Sequence, residues 1–224
     1  MIWWHGISVL GSMAVMAPAG MAIALLLAAA GAWHLLLRWC WLFAVGMALV
    51  VVSKLAFIGW GIGLSSIGFA GFSGHAMRAA AVLPVACYLL FKNSGATARQ
   101  ASLIFGVLLA VLISVSRVVL HAHSVSEVVS GCVLGLAVAF AFLDDAQGSR
   151  HFFLSRPLLA LCACALLFTP QVEPVPTEAW LTQLALHLSG RVQPFTRLDW
   201  QRDNTPMIGA VARHRHTLTG KISP

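Results

Sequence analysis

Ser116-Arg117-Val118-Val119-Leu120-His121-Ala122-His123-Ser124-Val125-Ser126-Glu127 spans the junction of two apolar runs, about 101–119 and 125–143. Each run approaches the roughly twenty residues that cross the hydrocarbon core of a bilayer as a helix. Across that junction fall an arginine, two histidines and an acid. Ionisable groups beside hydrocarbon cost several kcal/mol unless they are paired, so they mark a functional site by default. His123 and Glu127 are four residues apart, which on a helix puts them on one face within contact range. A carboxylate there accepts from one imidazole nitrogen, fixes the tautomer and leaves the other nitrogen free as a nucleophile. Arg117, six residues upstream, brings a permanent planar charge suited to phosphate oxygens. A buried, salt-bridged helix junction is the structural alternative for this stretch.

Outward from that stretch the chain stays apolar. Of 224 residues, 59% are hydrophobic and 9% charged, which predicts an all-α, polytopic membrane protein with a bundle of about six transmembrane helices. Spans are expected at about Ile7–Ala30, Trp41–Trp60, Ala76–Phe91, Ala101–Val119 and Val125–Leu143, with a shorter sixth at Leu158–Phe168. The first is too long for a signal-peptide core and has no Lys or Arg before it, so it reads as a retained span. Trp33, Trp39 and Trp41 cluster where a membrane–water interface is expected, and Asp144 to His151 reads as a polar loop. The net charge of +7 sits in short loops and in the tail, which speaks of topology and lipid contact and not of nucleic acid. Cys40, Cys87, Cys132, Cys162 and Cys164 are scattered through apolar runs and form no disulfide framework, and no zinc spacing occurs.

A second stretch, Phe72-Ser73-Gly74-His75, precedes the third apolar run. Ser73 is a good N-cap, the free N–H groups of a helix start attract anions, and Gly74 admits a ligand close to the backbone. Together the two stretches resemble the type 2 phosphatidic acid phosphatase and vanadium haloperoxidase superfamily, in its membrane lipid phosphatase branch. That family's second motif is Pro-Ser-Gly-His; here Phe72 replaces the proline. Its third is Ser-Arg, five residues, His, three residues, Asp; here Ser116, Arg117 and His123 match and Glu127 replaces the aspartate. Its first is Lys, six residues, Arg-Pro; Lys54 matches, but Gly61 and Ile62 occupy the other two positions. The resemblance covers about residues 41–143.

The resemblance implies cleavage of a phosphomonoester or pyrophosphate through a phosphohistidine, with no metal and no cofactor. His123 would attack phosphorus with Glu127 orienting it, and His75 would protonate the leaving oxygen. Lys54, Ser73, Gly74, Ser116 and Arg117 would hold phosphate oxygens. Arg78, three residues after His75, is the candidate to supply the cation that Gly61 cannot. His121 fits no role and reads as an interface residue. The expected substrate is a lipid phosphate resembling phosphatidate, phosphatidylglycerophosphate or a polyprenyl pyrophosphate. A lipid phosphotransferase and a silent lipid-phosphate binder are the alternatives.

Arg38, Lys92 with Arg99, and Arg150 with Arg156 occupy alternate loops, which predicts that those loops face the cytoplasm. The candidate site then lies on the non-cytoplasmic, periplasmic face, and both termini lie outside. Residues 1–170 form the expected membrane bundle and 171–224 a tail. In the tail, Pro174 and Pro176 stiffen a linker, and a helix starting at Thr177 carries Trp180, Leu181, Leu184 and Leu188 up to Gly190. Whether that helix lies at the interface or packs on the spans is open from the sequence. Beyond Arg191 no pattern is visible, and His214-Arg215-His216 reads as a chain end.

Overall fold

A computed structural model describes residues 2–148 and 177–203. The sixth span, the Pro174/Pro176 linker, Arg150, Arg156, Cys162, Cys164 and the His214–His216 cluster lie outside the described residues. The described chain is helix and turn: α1 (Ile2–Leu10), α2 (Met13–Ala29), α3 (Trp33–Trp60), α4 (Gly74–Leu90), α5 (Ala96–Val119), α6 (Val125–Gly148), α7 (Thr177–Ser189) and α8 (Arg197–Asp203). Among the described residues, four stretches are long and apolar enough to cross a membrane: Trp3–Ala29, Trp33–Trp60, Ala96–Val119 and Val125–Gly148. The chain is therefore an all-α, polytopic membrane protein.

α4 is shorter, 17 residues, and forms the centre of the bundle. Ala79, Ala80, Ala81, Val82 and Val85 are fully buried, so this helix meets protein on all sides and not lipid. Small residues make that possible. On α6, Gly131 and Gly135 face α4 so closely that a Cβ at Gly131 would lie 2.6 Å from the Ser73 carbonyl, and one at Gly135 would collide with the Met77 carbonyl. Gly106 of α5 meets Pro84 in the same way, at 2.8 Å. With lipid as apolar as leucine, such close backbone packing is what holds membrane helices together.

Several expected boundaries shift. The first span is two helices, broken at Gly11-Ser12, because α5 approaches there: a Cβ on Gly11 would lie 2.6 Å from Ile113. α3 starts at Trp33, α5 at Ala96, and α6 runs on to Gly148, so Asp144 and Asp145 are helical where a loop was expected. Asp145 holds the helix end by pairing with Arg38 at 2.7 Å. Trp39 is not an interface residue like the exposed Trp33 and Trp41. It is buried in the core, donates its indole N–H to the Gly20 carbonyl at 3.0 Å and stacks on Phe43. That hydrogen bond removes the usual objection to burying an indole. The tail helix α7 packs on the spans: a Cβ at Gly59 of α3 would touch Ser189 and the Ala185 carbonyl of α7 at 3.2–3.3 Å.

Candidate active site

The end of α5 and the start of α6 form one unit. The chain leaves α5 through His121, exposed and at φ 53°, in the left-handed region that closes helices. Ala122 and His123 both donate backbone N–H to the Arg117 carbonyl, at 3.0 and 3.3 Å, so the positions of Arg117 and His123 are locked together. Ser124 then caps α6. Its hydroxyl accepts the Glu127 N–H at 3.3 Å, and the Glu127 carboxylate accepts the Ser124 N–H at 3.2 Å. This reciprocal pair is a capping box, legible as Ser124-x-x-Glu127.

The same carboxylate orients the histidine. His123 Nδ1 lies 2.8 Å from Glu127 Oε2, in the i, i+4 relation expected. Oε1 accepts the Ala70 N–H at 2.8 Å, and Oε2 also accepts Arg197 Nη2 at 2.7 Å. The side chain is 2% exposed. A buried carboxylate with four donors stays in place and leaves the far nitrogen of His123 for chemistry.

The Phe72–His75 stretch is tied to that unit from the other side. Ser73 N–H donates to the Glu127 backbone carbonyl at 3.0 Å. Ser73 occupies the N-cap of α4 as expected, yet its hydroxyl makes no cap bond and is buried with no partner among the described residues. Phe72 N–H donates to Ser53 Oγ at 3.1 Å, a bond that proline could not make, which gives Phe72 a reason to stand there. Ser116 is buried and gives its hydroxyl to the Ile113 carbonyl at 2.6 Å; it lines neither of the two cavities at this end of the bundle.

A cavity of about 420 Å³ lies against the start of α4. Lys54, Gly74, His75, Arg78 and Arg117 supply its polar wall, and Met47, Val50, Trp180, Leu181 and Leu184 supply apolar wall. Arg117 Nη1 is held by Ser8 of α1 at 2.6 Å, a partner that sequence reading missed. Arg78 is 8% exposed and folds back on its own helix start: its Nη1 is 3.0 Å from where a Cβ on Gly74 would sit. Arg78 Nε and Arg117 Nε are buried with no partner among the described residues. A smaller cavity of about 170 Å³ adjoins Ala70, Gly71, His123, Glu127 and Arg197. Lys54 and Glu178 line both cavities and form an ion pair, so the two spaces meet at that pair.

Every candidate site residue except Ser73 and Ser116 thus lines one cavity or the other, Gly74 by its backbone. His75 and His123 lie in different cavities that share Lys54. Glu127 pairs with Arg197 and His123, not with Arg78, so Arg78 does not draw it away from His123. Sequence reading gave the tail helix from Thr177 but missed the tail's part in the site. Thr177, Glu178 and Trp180 of α7 close the larger cavity, and Arg197 at the start of α8 closes the smaller one. Its local signal was Thr196-x-x-Asp199: Asp199 accepts both the N–H and the hydroxyl of Thr196 at 2.8 Å, which starts a helix with Arg197 in its first turn.

A family model described as the PAP2 superfamily matches residues 60–150. The chain is 34% identical over 203 residues to an uncharacterized 22.5 kDa protein in the cps region of Klebsiella pneumoniae, covering 88% of this chain and 96% of that one. It is 39% identical over 70 residues to phosphatidylglycerophosphatase B of Bacillus subtilis (strain 168), covering 30% of this chain and 34% of that one. No solved structure matches. The Ser73-Gly74-His75 and Ser116-to-Glu127 stretches both fall within the matched residues, and the chain belongs to the PAP2 superfamily.

Proposed function

We propose that the protein is an integral membrane lipid phosphatase that works through a phosphohistidine on His123. The observation that carries this reading is His123 Nδ1 on Glu127 Oε2 at 2.8 Å, in a cavity shared with Lys54. The phosphoryl group enters with its lipid alcohol toward the larger, apolar-walled cavity. His123 Nε2 attacks phosphorus in line as the bond to the ester oxygen breaks, and His75 gives that oxygen a proton. Lys54, Arg117 and Arg78 hold the equatorial oxygens, with the Gly74 N–H at the positive end of α4. Water then attacks the phosphohistidine, inorganic phosphate leaves, and His75 recovers its proton from that water. The Glu127 carboxylate stabilises the positive ring of His123 throughout.

The phosphatase-named relative in Bacillus subtilis favours a phosphatidylglycerophosphate-like substrate, within a class that also includes phosphatidate and polyprenyl pyrophosphates. The site faces the non-cytoplasmic side. Arg38, Lys92 and Arg99 cluster at the opposite end of the bundle, where Lys92 Nζ also holds the Ala146 carbonyl at 3.0 Å, and basic residues stay on the cytoplasmic side.

The test is phosphate release by the purified protein from these lipid phosphates. His123→Ala should abolish turnover and the acid-labile phosphoryl label. His75→Ala should slow lipid esters far more than p-nitrophenyl phosphate, whose leaving group needs no acid. Wild-type turnover in His123→Ala would refute the reading.

A further inference from the structure

We propose that Arg197, carried in by the C-terminal segment, is a phosphate-binding residue of this site. The inference rests on the phosphatase reading above and adds to it a group that lies outside the membrane bundle.

Gly61 closes α3 at φ 70°, and a Cβ on it would lie 3.0 Å from the ring of Phe195. Gly63 is covered likewise: a Cβ there would lie 2.6 Å from Trp200. Both aromatic rings pack on Phe57, with centroids 5.6 and 4.9 Å away. Phe195 N–H donates to the Ile58 carbonyl at 2.9 Å, one of the carbonyls that the end of α3 leaves without a helical partner. The segment 195–200 is therefore built onto the end of α3, on glycines that leave room for it. Side chains at Gly61 and Gly63 would displace it.

That seat fixes where Arg197 goes. Two residues after Phe195, in the first turn of the capped helix α8, it reaches the smaller cavity and donates Nη2 to Glu127 Oε2 at 2.7 Å. His123 donates to the same oxygen at 2.8 Å. The arginine and the nucleophilic ring are thus held side by side by one carboxylate. A guanidinium has five N–H donors in a fixed fork, so a bond to Glu127 leaves donors for a second acceptor. Lys54 shares this cavity, whereas Arg78 and Arg117 line the other. Arg197 is the arginine on the nucleophile's side. It lines the same cavity as Lys54. Charge spread over three equatorial oxygens is what a transferring phosphoryl group presents, and a bidentate arginine suits it.

A clamp that merely fastens the tail would make the same bond to Glu127, so the experiment separates the two. Wild type, Arg197→Ala, Arg197→Lys and Phe195→Ala, each as the full chain in detergent, are titrated with inorganic phosphate by calorimetry. Their kcat and KM are measured on a lipid phosphate. Arg197→Ala should weaken phosphate binding by about tenfold or more and lower kcat/KM by about a hundredfold. Arg197→Lys should recover part of both. Millimolar guanidinium chloride should raise the activity of Arg197→Ala several-fold, and equal sodium chloride should not. Phe195→Ala loosens the same segment but keeps the guanidinium, so guanidinium should not rescue it. Arg197→Ala that binds phosphate as wild type does, or that gains nothing from guanidinium, overturns the inference and leaves the His123 reading standing. Wild type that releases no phosphate, yet binds it more tightly than Arg197→Ala, sinks the phosphatase reading and keeps the contact.

Discussion

Glu127→Gln is the substitution whose consequences the structure specifies most fully. The carboxylate accepts from His123 Nδ1, Ser124 N–H and Arg197 Nη2 on Oε2, and from Ala70 N–H on Oε1. A glutamine has one carbonyl oxygen and one NH2 group. With its oxygen toward the three donors, the NH2 faces the Ala70 N–H and leaves that donor unpaired, which costs about 1–3 kcal/mol. The reverse orientation opposes three donors and is worse. Loss of the pair with Arg197 adds less than about 1 kcal/mol, because that guanidinium is 45% exposed and screened. Thermal unfolding in detergent should register a destabilisation of that order. Turnover should suffer more. An amide can still accept from Nδ1, but it supplies no negative charge to the ring that becomes positive on phosphorylation. Replacing the orienting carboxylate of a catalytic histidine by its amide costs about ten-thousandfold in kcat, and a loss of that order is expected here with KM little changed. The assay is phosphate release from a lipid phosphate and from p-nitrophenyl phosphate, beside the unfolding curve. A kcat within threefold of wild type on both would refute the reasoning. Glu127 would then be a capping residue that happens to touch a histidine.

Arg78→Leu should keep the protein folded, since Val50, Leu181 and Leu184 line the cavity that a leucine would face, and should lower kcat/KM by roughly ten- to a thousandfold; unchanged kinetics would make Arg78 a bystander. Glu178→Gln should tighten inorganic phosphate binding by about two- to fivefold, because phosphate displaces Glu178 from Lys54 and a pair with one exposed partner is worth about 1 kcal/mol at most. The gain should shrink in high salt, and a weaker affinity would show Glu178 to be part of the phosphate site instead. A reporter fused in the 61–71 loop should be active only outside the cytoplasm; activity inside would invert the assigned orientation.

Much of the site was legible because it is local or periodic. Arg117 and His123 are joined by one helix end, His123 and Glu127 by one helical turn, and Ser73 to His75 by one helix start. Spacing alone therefore carries their geometry. What was not legible depends on contacts between distant segments. Ser116 matches a motif position, yet its hydroxyl is taken by the carbonyl three residues back, a bond that a hydroxyl in any helix can make. Trp39 looks like its neighbours Trp33 and Trp41 until Gly20 offers a carbonyl in the core. The tail is the larger case. Phe195 and Trp200 have no apolar periodicity, and Gly61 and Gly63 read as loop residues, because each pair makes sense only against the other. The Ser124-x-x-Glu127 capping box and the Thr196-x-x-Asp199 cap were in plain view and bear directly on the site. The first shows that the orienting acid is also a helix cap, which favours glutamate where the family pattern has aspartate. Its extra methylene lets one carboxylate reach back to the Ser124 N–H, across to Ala70 and up to His123. An aspartate on the same backbone would have to give up one of the three. The residue that departs from the family pattern is also tied to Arg197, a side chain that pattern does not contain, which donates to the same oxygen as the histidine.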